Sequence, residues 1–147
     1  MKFVVDTNII FSAILNTEGK IGDLLMNSHG IFDFCACDYL RIELNKHQSK
    51  LSALSKLTEA ELEVSIYQIT KGLSFTNEAL IPFEVWIKAV NLVRDTDMND
   101  VAFVALTEFL GVKLWTGDKE LIRGLAKKGY TNFITTDELY KLRHLLE

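Results

Sequence analysis

Phe3-Val4-Val5-Asp6-Thr7-Asn8 sets the pattern for the whole chain. A short apolar run of strand length ends in an acid, and a second apolar stretch, Ile9 to Leu15, follows at once with the length of a helix. The arrangement returns near the other end, where Val112-Lys113-Leu114-Trp115 passes through Thr116-Gly117 to Asp118 and a helix over 119–128 closed by Gly129. Short apolar strands that alternate with helices imply a parallel sheet covered on both faces. The expected class is α/β, a three-layer sandwich with a central parallel sheet flanked by helices, in one domain spanning 1–147.

The rest of the chain fits that alternation. Asn16 to Gly19 reads as a turn and Ile21 to Met26 as part of a second helix. Ile31 to Cys37 has strand composition, and Asp38 is placed to cap a helix running to about Lys50. Thr58-Glu59-Ala60-Glu61 is a capping box, starting a helix that stops at Gly72. Pro82 suits the first turn of the next helix, which carries Trp86, Val90 and Val93 at helical spacing. A polar loop, Asp95-Thr96-Asp97, leads into an almost wholly apolar helix from near Asn99 to Gly111. Asn132 to Ile134 is a last short strand, and Thr135-Thr136-Asp137-Glu138 opens a final helix into Leu145.

Composition narrows the function classes. With 147 residues, 48% apolar content and one proline, the chain can bury one substantial core and is neither disordered nor a linker. No apolar run approaches the ~18 residues of a membrane span. The N-terminus breaks with Asp6 too early for a signal peptide, so no membrane association and a cytoplasmic location are expected. Cys35 and Cys37, two apart on a strand, are expected to pack as free thiols. The net charge of −4 excludes a strongly basic nucleic-acid coat. Setting aside four candidate metal-binding carboxylates brings that charge to zero, so nucleic-acid substrates stay open.

Those four are Asp6, Glu43, Asp100 and Asp118. Burying an unpaired carboxylate costs several kcal/mol or shifts its pKa until it is neutral, yet three of the four abut segments that read as core. Asp6 and Asp118 lie just past the carboxyl ends of two expected strands, the edge where open parallel sheets bind ligands. On a helix starting at Tyr39, Glu43 falls about 40° from Tyr39, inside the arc of Leu40 and Leu44 and away from Arg41. Asp100 opens the apolar helix and shares a strip with Phe103, Val104 and Thr107.

If the four converge, a divalent cation is the cheapest partner. Mg²⁺ and Mn²⁺ take hard oxygen ligands, and such a site activates water against phosphate esters. Paired histidine ligands are lacking, which disfavours zinc. Each acid also has a plainer use: Asp6 and Asp118 as helix caps, Asp100 as a helix-dipole partner, Glu43 in a buried ion pair or an interface. His47 shares the Glu43 arc but reads as a packing residue, as Trp86 and Trp115 read as core. Lys119, Arg123, Lys127 and Lys128 read first as a solvated helix face and second as a contact for an RNA backbone.

Taken in order and at these spacings, Val4-Val5-Asp6-Thr7-Asn8, Glu43, Asp97-Met98-Asn99-Asp100-Val101-Ala102-Phe103-Val104-Ala105-Leu106 and Leu114-Trp115-Thr116-Gly117-Asp118-Lys119-Glu120-Leu121 resemble the PIN domain family over about residues 1 to 140. The resemblance implies a PIN-like α/β sandwich and a Mg²⁺- or Mn²⁺-dependent nuclease acting on single-stranded RNA. Asp6, Glu43, Asp100 and Asp118 match the family's acidic quartet, and Asn8 and Thr116 match the polar residues that support it. Many small members are VapC-type toxins, homodimeric and held inactive by an antitoxin protein. Whether Asp95 or Asp97 also assists the site stays open.

Two other functions compete. A haloacid-dehalogenase-like phosphatase also places an aspartate after its first strand, but its chemistry needs a second aspartate two residues later, where this chain has Asn8. A non-catalytic RNA- or protein-binding module needs no quartet of carboxylates, which repel phosphate until a cation arrives.

Overall fold

The computed structural model describes residues 1–147. Strand β1 (Lys2–Val5) runs into helix α1 (Thr7–Leu15), followed by α2 (Lys20–Asn27), β2 (Asp33–Cys37), α3 (Tyr39–Lys46), α4 (Gln48–Ser55) and α5 (Glu59–Thr70). Next come β3 (Ser74–Thr76), a 3₁₀ turn at Glu78–Leu80, α6 (Phe83–Val93), a second 3₁₀ turn at Met98–Asp100 and α7 (Val101–Leu110). The chain finishes with β4 (Lys113–Trp115), α8 (Lys119–Ala126), β5 (Phe133–Ile134) and α9 (Thr136–Leu146).

The strands form a five-stranded sheet of order β3-β2-β1-β4-β5, with every pairing parallel. In β1, Phe3, Val4 and Val5 are all buried, because helices cover both faces of the sheet. Right-handed crossovers decide which helices go where. The steps from β1 to β2 to β3 move one way, so α1 to α5 share a face, and α1 packs on α2, α4 and α5. The step from β3 back across the sheet to β4 reverses direction and puts α6 and α7 on the other face, where α7 lies against β1, β2 and β4 and α8 meets α6. The architecture is the expected α/β sandwich with a central parallel sheet.

This order creates the topological switch point. β1 is central, and the connections leaving β1 and β4 go to opposite faces, so a crevice opens at their carboxyl ends. Asp6 follows β1 at that point, and its amide donates to the Trp115 carbonyl at 3.1 Å, extending the ladder between β1 and β4 by one rung.

Several local expectations needed revision. The helix expected from Asp38 to about Lys50 is two helices, broken at His47 (φ −103°, ψ 14°), whose ring meets Phe11 edge-on at 5.7 Å. Asp38 does not cap α3; the Glu78 carboxylate accepts the Tyr39 amide hydrogen at 2.6 Å in its place. That cap comes from a segment 39 residues away, which local sequence cannot signal. Strand β3 was not anticipated, since three residues of an edge strand carry too little pattern to read. The Thr58–Glu61 capping box is present; of the second box expected at Thr135–Glu138 only the Thr135 hydroxyl on the Glu138 amide forms, and Pro82 sits one place before α6 rather than inside it.

Buried Arg143, on α9, ties that helix to α2: it donates to the Asp23 carbonyl and the Ser28 hydroxyl, each at 3.3 Å, and pairs with the Asp23 carboxylate. Within α2, Gly22 passes so close to the preceding turn that a methyl group there would lie 2.3 Å from the Thr17 carbonyl oxygen. Gly22→Ala is therefore expected to lower stability by about 1–3 kcal/mol in urea denaturation, as overpacking does. An unchanged midpoint would show that the Asn16–Gly19 turn yields without strain.

Candidate functional site

Asp6, Glu43, Asp100 and Asp118 reach the crevice from four elements: the end of β1, α3, the turn before α7, and the end of β4. Asp6 is 2% exposed, and its Oδ2 accepts a hydrogen bond from the Thr116 hydroxyl at 2.8 Å. The Thr116 hydroxyl oxygen in turn accepts the Asp118 amide hydrogen at 3.1 Å, so one buried threonine orients both strand-end aspartates. Asp6 occupies the N-cap position of α1, yet its side chain makes no capping hydrogen bond. The helix-cap reading of Asp6 therefore fails. For Asp118 it holds in part, since Oδ1 accepts from the Glu120 and Leu121 amides at 3.1 Å each.

Glu43 is half-buried, and its Oε1 accepts the Thr7 hydroxyl hydrogen at 3.1 Å. Thr7 is buried at the start of α1 and was not singled out from sequence; its only signal was its place directly after Asp6. Asp100 is 9% exposed at the N-cap position of α7 and makes no capping hydrogen bond either. Its use is thus not that of an ordinary cap.

Electrostatics show how these carboxylates sense one another. Burial pushes the Asp100 carboxyl up to about 7, and the negative charges of Asp6, Asp97, Asp118 and Glu43 push the same way. Burial likewise raises Asp6, opposed by the Thr116 hydrogen bond and the Asn8 amide and reinforced by the charges of Asp118 and Glu43. Glu43 is raised by burial, against the Thr7 hydrogen bond and the positive pull of His47 and Lys46. The quartet is a shared electrostatic environment. As the side chains stand, though, no three His, Cys, Asp or Glu residues close into a ready-made metal cage.

The two additional acids separate cleanly. Asp95 pairs with Lys128 at 2.8 Å, which lowers its pKa and holds it outward. Asp97 caps the 3₁₀ turn through the Asn99 amide at 2.9 Å, and its charge reaches both Asp100 and Glu43. Asn8 is exposed beside Gly117 and Asp118 in a polar cleft that also holds Ser12 and Thr136. Lys128 donates to the Asn91 and Leu92 carbonyls of α6, so it anchors a helix end; Arg123 and Lys127 remain exposed. Trp115 is fully buried, and Cys35 and Cys37 are buried free thiols, raised by burial to about 11 and about 12.

The donor set is all oxygen and acidic, which suits a hard divalent cation that keeps several of its waters. The Thr116 and Thr7 hydroxyls fix one oxygen of Asp6 and one of Glu43, the usual role of outer partners around a metal ligand.

The chain matches the PIN domain family over residues 4–142 and belongs to it. Members of that family are generally nucleases and usually use divalent metal ions. Among solved structures it shares its fold with a chain in the crystal structure of VapBC2 from Rickettsia felis bound to a DNA fragment from their promoter. That match has 13% identity and a TM-score of 0.70, over 92% of this chain and 98% of the other. No curated protein matches the chain. No helix is long and apolar enough to cross a membrane.

Asp100 gives the site a pH signature. Its folded pKa of about 7 lies above the unfolded value of 3.8, so between these limits the unfolded chain has lost a proton that the folded chain keeps. Stability of the metal-free protein therefore falls as pH rises through that window, by up to a few kcal/mol from this group. Asp100→Asn should remove that part of the slope and stabilise the metal-free protein near pH 7. Urea denaturation from pH 4 to 8 measures it, and parallel curves for variant and parent would contradict the burial of Asp100's charge.

Proposed function

We propose that this PIN domain is a Mg²⁺- or Mn²⁺-dependent endoribonuclease that hydrolyses phosphodiester bonds in single-stranded RNA, with Asp6, Glu43, Asp100 and Asp118 as its metal-holding catalytic residues and water as the nucleophile. The observation that carries this reading is the gathering of Asp6, Glu43 and Asp100, each raised first by burial, in a crevice at the carboxyl edge of a parallel sheet. Like charges gathered in a partly dry cleft are costly alone and favourable around a cation. A bound divalent ion would activate a water and stabilise the oxyanion leaving group of an in-line displacement.

The chain's own residues have distinct tasks in that scheme. Thr116 holds Asp6 and the Asp118 backbone in one register across β1 and β4, so the two strand ends act as a unit. Thr7 holds Glu43 over the start of α1. Asp118 keeps Oδ1 on the α8 amides, so Oδ2 is the oxygen it would offer a cation. Asp100, pushed up to about 7 by burial and by its acidic neighbours, is a carboxyl whose ionisation a cation would favour. Asn8 supports the same site from the polar cleft beside Asp118.

A toxin role with an antitoxin partner, and a homodimer working in the cytoplasm, are part of the proposal. They draw on the shared fold with VapBC2 and on family membership. A small upstream reading frame encoding a DNA-binding protein that co-purifies with this chain would support the pairing.

The test is cleavage of a fluorescent single-stranded RNA with Mn²⁺, Mg²⁺ or EDTA. Metal-dependent cutting is expected, abolished by Asp6→Asn or Asp100→Asn in folded protein and lowered roughly 10–100-fold by Thr116→Val, the usual size of losses at an outer partner. Cutting that persists in EDTA, or at full rate in Asp6→Asn, would sink the assignment. RNA binding that needs no metal and leads to no cleavage would favour the non-catalytic binding module.

A further inference from the structure

The crevice differs in chemistry on its two sides. Along the sheet's carboxyl edge, the β4–β5 side of Asp6 carries a cleft with more polar residues, Asn8, Ser12, Asp118 and Thr136, beside Ile9 and Ile21. The β2–β3 side carries a largely apolar pocket of about 390 Å³, lined by Tyr39, Ile42, Trp86, Met98, Asn99 and the first turn of α7, with the Glu78 carboxylate, which accepts the Tyr39 amide hydrogen, as its acid. That volume lies within the range of small-ligand clefts, roughly 300–1,000 Å³. Ile42 and Met98 are 61% and 49% exposed, so the pocket presents apolar surface to solvent with nothing of this chain covering it.

The pocket is continuous with the carboxylates. Tyr39 and Glu43 stand one turn apart on α3, and the charges of Glu43 and Asp97 both reach the Tyr39 hydroxyl. Asn99, Val101 and Ala102 flank Asp100 directly in sequence. Tyr39 is fixed by its contact with the Phe103 ring at 6.3 Å and by the Glu78 carboxylate on its amide. Two aromatic side chains and a thioether thus sit beside the place where a phosphate would be held, with the exposed Asn99 amide at the rim.

We propose that this pocket is a nucleobase subsite, which takes one unpaired base next to the scissile phosphate onto Tyr39 and Trp86. The assignment rests on the ribonuclease reading and adds to it the requirement for a splayed, single-stranded base. Single-stranded RNA is bound largely by stacking unpaired bases on aromatic side chains, with edges met by polar groups such as an amide. A base in the apolar pocket leaves the polar cleft across Asp6 for the sugar-phosphate chain. A paired helix cannot send a base there without unstacking it, so the pocket selects against duplexes.

Trp86 supplies the readout, because the chain's other tryptophan, Trp115, is fully buried. In Asp6→Asn with Mg²⁺, tetra-adenylate RNA should quench tryptophan fluorescence saturably, and the same tetramer with all four bases removed should not. Tyr39→Leu should weaken tetra-adenylate binding roughly tenfold and leave the abasic tetramer unaffected. Met98→Ala, at a half-exposed site that tolerates truncation, should weaken it in the same direction. Trp86→Phe should lose the signal while keeping affinity by filter binding.

RNA that is bound without quenching, or abasic RNA bound equally well, would overturn the subsite and leave the pocket to a protein side chain. If wild-type protein cuts RNA while these titrations fail, the subsite is wrong and the nuclease stands. If no RNA is cut but the quench and its variants behave as stated, the subsite stands and the nuclease reading falls.

Discussion

The hydrogen bond from Thr116 to Asp6 joins two strand ends into one site, and the same hydroxyl accepts the Asp118 amide hydrogen. Asp6 is fixed by the ladder between β1 and β4, its amide on Trp115 and its carboxylate on Thr116. Because β1 is the central strand, whatever follows it lands in the crevice where the crossovers diverge. Glu43 and Asp100 come from helices on opposite faces of the sheet, and each approaches Asp6 closely enough to alter its neighbours' protonation. The fold thus holds repelling charges together by covalent and packing constraints rather than by attraction among them.

That arrangement sets stability against function. The apolar helix α7, with Phe103, Val104, Ala105 and Leu106 buried, anchors Asp100 against β1 and β2 in surroundings that favour the protonated acid. A carboxyl held near 7 is half neutral at physiological pH, which limits the repulsion the cation-free protein must bear. Arg143 and the Thr58 capping box stabilise regions away from the crevice and leave its charge uncompensated.

Much of this was legible in the sequence, for identifiable reasons. Strand-acid-helix junctions at Asp6 and Asp118 marked the carboxyl edge, since strand ends and helix starts carry local signatures. The helical arc placed Glu43 inward even though the helix proved shorter than expected, because the angle depends only on the first turn and a half. Less was legible where distant partners decide. The Glu78 cap on Tyr39, the break at His47 and the edge strand β3 all depend on contacts across the fold. Asp6 and Asp118 looked alike in sequence, yet only Asp118 caps its helix, a difference fixed by Thr116 from 110 residues away. Thr7 escaped notice because a threonine at a helix start is ordinary until its partner is known.

The central claim, that the cluster is built to be neutralised by a divalent cation, is tested most directly by manganese titration calorimetry in buffers of different ionisation enthalpy. Metal must displace the proton on Asp100 near pH 6, so binding should release protons there, and fewer as pH rises above 8. Asp100→Asn should bind more weakly and release correspondingly fewer protons. Manganese binding with no pH-dependent proton release, or no binding at all to folded protein, would contradict the claim.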